Sequence, residues 1–238
     1  MLILNKYAAI DIGSNAIRLL ITTIIEESGK PVRFKKTSLV RVPIRLGEDV
    51  FTNGFISSVN ITRMQDTMKA FKLLMDVYEV QYYRACATSA LREASNSDEI
   101  IVQVAAHSGI TINLIGGDEE ASLILSNKLS ELLDRRFNHL YVDVGGGSTE
   151  ISLLMHYNAL SHSKSFKIGT VRLLNDMVKK EAWEELQQWI TASVKPFDKI
   201  DVWGSGGNIN KIFKISGKAI GKPLTYFYLT SYYNILQS

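Results

Sequence analysis

The stretch LYVDVGGGSTEISLL, residues 140–154, places Asp143 at the end of an apolar run and follows it with three glycines. Each glycine in a regular element costs conformational entropy, so three in succession indicate a turn that must bend sharply or approach another group closely. The apolar and β-branched residues on both sides predict two strands joined by this turn. The order of strand, aspartate, glycine turn and strand is informative because it also occurs earlier in the chain.

The earlier copy is IDIGSNAIRLLI, residues 10–21, in which Asp11 aligns with Asp143. Each copy begins a predicted meander of antiparallel strands that is followed by helices and a further strand. An internal repeat of this kind indicates that one structural unit occurs twice. We therefore predict two similar α/β domains, residues 1–124 and residues 125–238.

Composition limits the class of protein. The 238 residues are 46% hydrophobic and 21% charged, which is typical of a globular protein with a sizeable core. The net charge of +3 is too small to identify a polyanionic partner. One cysteine, Cys86, excludes an internal disulfide, and no Cys or His cluster has metal-ligand spacing. No apolar run reaches the roughly 18 residues of a membrane helix, and the N-terminus lacks signal-peptide features, so we expect a cytoplasmic protein.

The two glycine turns are candidate phosphate sites. Consecutive backbone amides in such a turn can converge on phosphate oxygens, and the nearby carboxylates of Asp11 and Asp143 could hold a divalent cation. A strand end with an Asx-turn is the alternative for either turn taken by itself. A third glycine loop, GSGGN at residues 204–208, also precedes a predicted helix. The candidate phosphate-binding residues of the three loops are Gly13, Ser14, Asn15, Gly145, Gly146, Gly147, Ser148, Gly206 and Gly207.

Six motifs in order resemble one known family. They are AAIDIGSNAIRLLI, RLGED at 45–49, ATSALREA at 87–94, GGDEEA at 116–121, VDVGGGSTEIS and GSGGN. These motifs resemble the exopolyphosphatase and guanosine pentaphosphate phosphohydrolase (Ppx/GppA) family, which belongs to the superfamily of actin, sugar kinases and heat-shock chaperone ATPases. The resemblance implies two ribonuclease H-like (actin-like ATPase) domains, each with a mixed five-stranded sheet flanked by helices, and an active site in the cleft between them.

The resemblance also implies a reaction, the Mg²⁺-dependent release of terminal orthophosphate from inorganic polyphosphate or of the 5′ phosphate from guanosine pentaphosphate. Glu120 would be the general base for the attacking water, and Glu150 would position that water or the metal. Arg92 would contact phosphate through its planar fork of donors. The metal ligands would be Asp11, Asp143 and Glu150.

These assignments have structural alternatives. Glu120 at a predicted helix start could simply complement the helix dipole, and Arg92 could be an exposed structural residue. Arg18 could equally lie on a solvated strand face or contact phosphate. Arg45 and Gly47 match a family loop but receive no chemical step.

Three further expectations concern the whole protein. A kinase or ATPase of the same superfamily is one alternative function, and a non-catalytic sensor of polyphosphate or guanosine tetraphosphate is another.

Family members continue beyond residue 238, whereas this chain ends inside a predicted amphipathic helix at 229–238, so we expect an incomplete second domain. We expect no nucleic-acid or membrane partner, and a homodimer is compatible with the resemblance.

Overall fold

Two mixed sheets flanked by helices organise the chain. The structure is a computed structural model, and it describes residues 2–126, 137–155, 159–195, 197 and 199–237. None of the helices in these ranges is long and apolar enough to cross a membrane. The α/β class expected from the internal repeat is thereby confirmed.

The first sheet has the strand order β3-β2-β1-β4-β5. Its strands are β1 at Leu2–Ile12, β2 at Ile17–Glu27, β3 at Arg33–Val42, β4 at Tyr82–Ala87 and β5 at Ile112–Leu114. β1, β2 and β3 form the predicted antiparallel meander, and β4 joins β1 in parallel. The first glycine turn therefore lies at the edge of the sheet where β1 and β4 both end, which is where parallel strands place binding groups.

The helices of the first half are α1 at Leu46–Asn53, α2 at Ser58–Val77, α3 at Ser89–Glu93, α4 at Ser97–Ser108 and α5 at Gly117–Ser126. The predicted apolar stripe of α2 is buried at Met64, Met68, Phe71 and Met75 because these positions recur at helical spacing. The predicted boundary between residues 124 and 125 falls inside α5.

The second sheet has the order β8-β7-β6-β9. Its strands are β6 at Asn138–Val144, β7 at Thr149–Met155, β8 at Ala159–Phe166 and β9 at Ile200–Gly206. Their pairing repeats that of β1 to β4, with an antiparallel meander and a parallel fourth strand. Within the described ranges this sheet has four strands and no counterpart of β5. It therefore has one strand fewer than the five that the resemblance implies for each domain.

The remaining helices are α6 at Thr170–Leu174, α7 at Lys180–Val194, α8 at Gly207–Ile215 and α9 at Tyr226–Gln237. Two hydrophobic cores result, one for each sheet. Val171 of α6 follows strand β8 of the second sheet but is buried in the core of the first sheet. α6 also packs against α1, so this short helix joins the two halves beside their glycine turns.

Candidate active site

A cavity of about 140 Å³ lies between the two glycine turns. Its lining combines both turns with four carboxylates, one arginine and two small polar residues of the first half. The lining residues are Asp11, Gly13, Ser14, Asn15, Ala16, Arg18, Thr88, Ser89, Glu120, Asp143, Gly145, Gly146, Ser148 and Glu150. The structure therefore brings Asp11 and Asp143 to one cavity, as the duplication led us to expect, and it brings Glu120 and Glu150 to the same place.

The first turn is closed by a hydrogen bond from the Gly13 amide to the Ala16 carbonyl, at 3.1 Å. Two amides at the start of α1 donate hydrogen bonds to the carbonyls of this turn. The Gly47 amide donates to the Ser14 carbonyl at 2.8 Å, and the Arg45 amide donates to the Asn15 carbonyl at 3.0 Å. The RLGED stretch, which had no assigned role, thus supports the backbone of the first turn.

The second turn has the same construction. The Gly145 amide donates to the Ser148 carbonyl at 2.9 Å, which is the equivalent bond 132 residues later. Two amides at the start of α6 hold this turn from behind. The Thr170 amide donates to the Gly145 carbonyl at 3.0 Å, and the Val171 amide donates to the Gly146 carbonyl at 2.8 Å. Both halves therefore use a helix start after the third strand of the meander to fix a glycine turn.

The hydrogen bonds that support the two turns use their carbonyls, so several backbone amides of the turns are available to a ligand. Within the described part of the chain, the amides of Ser14 and Asn15 donate to no protein acceptor, and neither do those of Gly146, Gly147 and Ser148. A buried or partly buried amide without a partner is costly, and consecutive amides form anion-binding concavities. The two turns are therefore suited to hold phosphate oxygens from opposite sides.

Glu120 lies in the first turn of α5 and reaches the cavity. Its Oε2 atom is buried and has no hydrogen-bond partner among the described residues. Burial is the largest influence on its pKa and the charge of Glu150 adds to it, so the pKa rises from 4.5 to about 8. A carboxyl with a pKa near neutrality can accept a proton from water, which suits a general base.

Glu150 lies on β7 directly across from Asp143 and is 3% exposed. Burial raises its pKa, while hydrogen bonds from the Ser148 and Ser165 side chains oppose that rise. The Ser165 hydroxyl donates to Glu150 Oε1 at 2.8 Å. These two hydroxyls fix the orientation of the carboxylate toward the cavity.

The two aspartates have different partners. Asp11 forms an ion pair with Arg18, with Oδ2 and Nη1 2.6 Å apart, and about half of each side chain is exposed. Asp143 accepts a hydrogen bond from the hydroxyl of Ser205, which lies opposite it on β9. Arg18 therefore lies in the cavity wall, and its positive charge is partly neutralised there.

The donor set fits a hard divalent cation. Carboxylate oxygens are its preferred protein ligands, and the buried Oε2 atom of Glu120 lacks a partner. Across the described residues, however, no group of three or more His, Cys, Asp and Glu side chains is arranged to hold a metal ion. Mg²⁺ commonly binds through one or two carboxylates together with waters and substrate phosphates, so the cavity meets this looser requirement.

Several predicted phosphate-binding residues do not line the cavity. Arg92 donates through Nη1 to the Ile115 carbonyl at 2.5 Å, so its fork is partly occupied by the protein. Its charge still opposes the rise that burial gives to the pKa values of Glu120 and Glu150.

Three glycines also lie outside the lining. Gly206 has a φ of 109°, and a Cβ there would collide with the Val144 carbonyl, so strand pairing itself requires this glycine. Gly207 has open space around it among the described residues, and Gly147 packs closely against Phe51, Ser14 and Ser89 of the first half.

Arg172 is a residue of the site that no motif in the sequence indicates. This buried side chain donates through Nε to the Gly147 carbonyl at 2.6 Å and through Nη2 to Glu93. A single arginine in a short predicted helix carries no signal for such a role, because Glu93 is 79 residues away in sequence.

The raised pKa of Glu120 predicts a pH dependence of stability. Between about pH 4.5 and pH 8 the folded protein binds more protons at this carboxyl than the unfolded chain, so the free energy of unfolding falls as pH rises. Urea unfolding without divalent cations at pH 5 and pH 8 measures this loss. We expect Glu120→Gln to lose less stability than the wild type over this interval, whereas equal losses would contradict the buried position of the carboxyl.

Comparisons with known proteins agree with this architecture. The family model described as the Ppx/GppA phosphatase family matches residues 26–200. The chain is 36% identical over 182 residues to the bifunctional 3-dehydroquinate synthase/phosphatase of Fusobacterium nucleatum, covering 72% of this chain and 27% of that protein. It is 33% identical over 175 residues to exopolyphosphatase 2 of Mycobacterium tuberculosis, covering 71% and 54%. The chain thus spans about half, or less, of these curated relatives.

Solved structures share the fold. The crystal structure of the Ppx/GppA family member of Aquifex aeolicus superposes with a TM-score of 0.74 and 24% identity, covering 98% of this chain and 79% of that one. An exopolyphosphatase from Cytophaga hutchinsonii gives a TM-score of 0.73 and 23% identity, covering 89% and 70%. The two-domain actin-like architecture is therefore the fold of this chain. With a family model that matches most of its length, the chain belongs to the Ppx/GppA phosphatase family.

Proposed function

We propose that this protein hydrolyses the terminal phosphoanhydride bond of inorganic polyphosphate and releases orthophosphate, with Mg²⁺ as cofactor. The observation that carries the proposal is the cavity in which two glycine turns face each other beside Glu120 and Glu150. Phosphoryl transfer depends on positioning and charge stabilisation more than on covalent chemistry. A cavity that combines backbone donors with proton-accepting carboxylates supplies both requirements.

The terminal phosphate would lie between the two turns. The amides of Ser14 and Asn15 on one side, and of Gly146 and Ser148 on the other, would donate to its oxygens. Because the turns are held from behind by fixed backbone hydrogen bonds, these donors are oriented before the substrate arrives. Preorganised donors stabilise the charge that develops in the transition state without further rearrangement.

Glu120 would accept a proton from the attacking water as the oxygen of that water approaches phosphorus. Without a metal ion, burial and the nearby Glu150 charge raise its pKa to about 8, which makes it a stronger base than an ordinary carboxylate. Glu150, held by Ser148 and Ser165, would orient the same water. Asp11 and Asp143 would hold Mg²⁺, which when bound neutralises phosphate charge and lowers the pKa values of the surrounding carboxyls.

Polyphosphate is the preferred substrate in this proposal for two reasons. The cavity of about 140 Å³ is smaller than the roughly 300–1,000 Å³ of pockets for drug-sized ligands, and it accepts a phosphoryl end more readily than a nucleoside. Among the residues that the structure describes, its lining also contains no aromatic side chain on which a purine could stack. The relative from Mycobacterium tuberculosis, an exopolyphosphatase, supports the same substrate class.

The test is an orthophosphate-release assay on the purified 238-residue protein with polyphosphate and guanosine pentaphosphate side by side, with and without Mg²⁺. We expect Mg²⁺-dependent release that is faster from polyphosphate. Release from guanosine pentaphosphate alone would overturn the substrate assignment. Tight binding of either compound without release would indicate a sensor, and nucleoside diphosphate formed from ATP only with an acceptor would indicate a kinase.

A further inference from the structure

Arg172 is a buried cation with partners in both halves of the molecule. Its side chain is 9% exposed, and Nε donates to the Gly147 carbonyl of the second turn at 2.6 Å. Nη2 donates to both carboxylate oxygens of Glu93, at 2.7 and 2.6 Å. The guanidinium also lies over the ring of Phe51, 3.8 Å from its centroid. Glu93 and Phe51 belong to the first half, whereas Gly147 belongs to the second.

The position of Arg172 completes the support of the second turn. Thr170 and Val171 hold the carbonyls of Gly145 and Gly146 with their backbone amides, and Arg172 holds the next carbonyl with its side chain. The first two bonds lie within the second half of the chain. The third bond comes from the Arg172 guanidinium, which also binds Glu93 and Phe51 of the first half. This bond therefore depends on how the two halves lie together.

Helix α3, which carries Glu93, connects Arg172 to the first glycine turn. Ser89 at its start shares a hydrogen bond of 2.9 Å with Ser14, and Glu93 at its end binds Arg172. Ser14 in turn belongs to the glycine turn that faces Gly146 across the cavity. One short helix therefore contacts both phosphate-binding turns, one directly and the other through Arg172.

The chemistry of this link requires arginine. A guanidinium presents several donors in a rigid plane, so it can bind a carbonyl, a carboxylate and an aromatic face at once, which a lysine ammonium cannot. Because Arg172 is buried, removing the Glu93 charge leaves the guanidinium desolvated without its partner. Lys167 lies 3.7 Å from Glu93 but is 73% exposed, so it is a weak substitute for Arg172.

We propose that Arg172 is a positioning residue that couples the orientation of the second glycine turn to closure of the two domains. When the domains are closed, Glu93 fixes the guanidinium, and the guanidinium fixes the Gly147 carbonyl so that the neighbouring amides point into the cavity. When the domains separate, this hold on the turn is lost. The inference rests on the proposed function for its kinetic consequences, while its structural consequence can be measured separately.

The kinetic test compares Arg172→Gln, Glu93→Gln and the double variant in orthophosphate release from polyphosphate. Misplacing a binding group by about 1 Å can cost about 100-fold in rate, so we expect each single variant to lower kcat by about 10- to 100-fold. KM should change by less than about threefold. Because both variants break the same link, the double variant should be no slower than the slower single variant. Arg172→Lys should restore only part of the lost kcat.

Arg33→Gln is the matched control, because Arg33 forms an exposed ion pair with Glu27 on the β2-β3 hairpin, outside the cavity lining. It should keep the wild-type kcat. Glu93→Gln is nearly isosteric, so its kcat alone tests the proposal if Arg172→Gln does not fold. A folded Glu93→Gln protein with wild-type kcat, or a double variant in which the two losses multiply, would overturn the proposal.

Hydrogen exchange gives a readout that does not need activity. The amides of Gly145, Thr170 and Val171, whose hydrogen bonds close and hold this turn, should exchange faster in Glu93→Gln than in the wild type, although the substituted residue lies in the other domain. Unchanged exchange in this turn would overturn the proposed coupling even if kcat fell. If the wild type releases no phosphate from any substrate, the proposed function fails, and the exchange experiment still decides whether the link exists.

Discussion

Glu120→Gln is expected to lower kcat for orthophosphate release by about 10²- to 10⁴-fold, the usual contribution of a general base. The amide has nearly the same shape as the carboxyl but cannot accept the proton of the attacking water. The substitution also removes a partly buried acidic group with a raised pKa, so the folded protein should be at least as stable as the wild type above about pH 8. Steady-state kinetics together with urea unfolding separates the loss of activity from any loss of folding.

Glu119→Gln provides the matched control for this variant. Glu119 is the neighbouring residue on α5, but its carboxylate pairs with Arg84 at 2.6 Å, is about half exposed and does not line the cavity. Its kcat should stay within about twofold of the wild type, because an exposed ion pair contributes little. A folded Glu120→Gln protein with wild-type kcat would remove Glu120 from the mechanism.

Gly147→Ala is expected to have the second large effect. A Cβ at this position would lie 2.5 Å from Cζ of Phe51 and 2.7 Å from Oγ of Ser14, and closer still to Oγ of Ser89. These atoms belong to buried side chains of the first domain, so either those side chains must shift or the second turn must move away from them. We expect a loss of about 1–3 kcal/mol in the free energy of unfolding and about a 100-fold fall in kcat.

Gly116→Ala is the control for this substitution, because a Cβ at Gly116 meets no atom within 4 Å. Thermal or urea unfolding and phosphate release are measured for both variants. If Gly147→Ala and Gly116→Ala were equally stable and equally active, the close approach of the second turn to the first domain would be wrong.

The sequence predicts most of the fold because the signals involved are local. Asp11 and Asp143 each end a strand and precede a glycine turn, and the matching order around them indicates two similar domains. Parallel pairing of β1 with β4 and of β6 with β9 then places both turns at the corresponding edges of their sheets. The family resemblance implies that these edges meet at one cleft, and the structure gives the contacts with which they do so.

The parts that the sequence did not predict depend on contacts between distant residues. Arg92 has the chemistry of a phosphate ligand, but the Ile115 carbonyl lies within its reach and occupies part of its fork. Gly206 resembles a phosphate-loop glycine, yet its positive φ and its contact with Val144 are requirements of strand pairing. Arg172 shows no local pattern, since its partners come from two other segments of the chain.

A crystal structure of the protein with Mg²⁺ and a polyphosphate analogue whose bridging oxygens are replaced by methylene groups would show directly where the terminal phosphate binds. We expect the terminal phosphate to lie in the cavity between the two glycine turns, within hydrogen-bond distance of the Ser14 and Ser148 amides, with Glu120 facing its phosphorus atom. A terminal phosphate bound outside this cavity, or one that contacts a single turn with Glu120 directed away from it, would contradict the account.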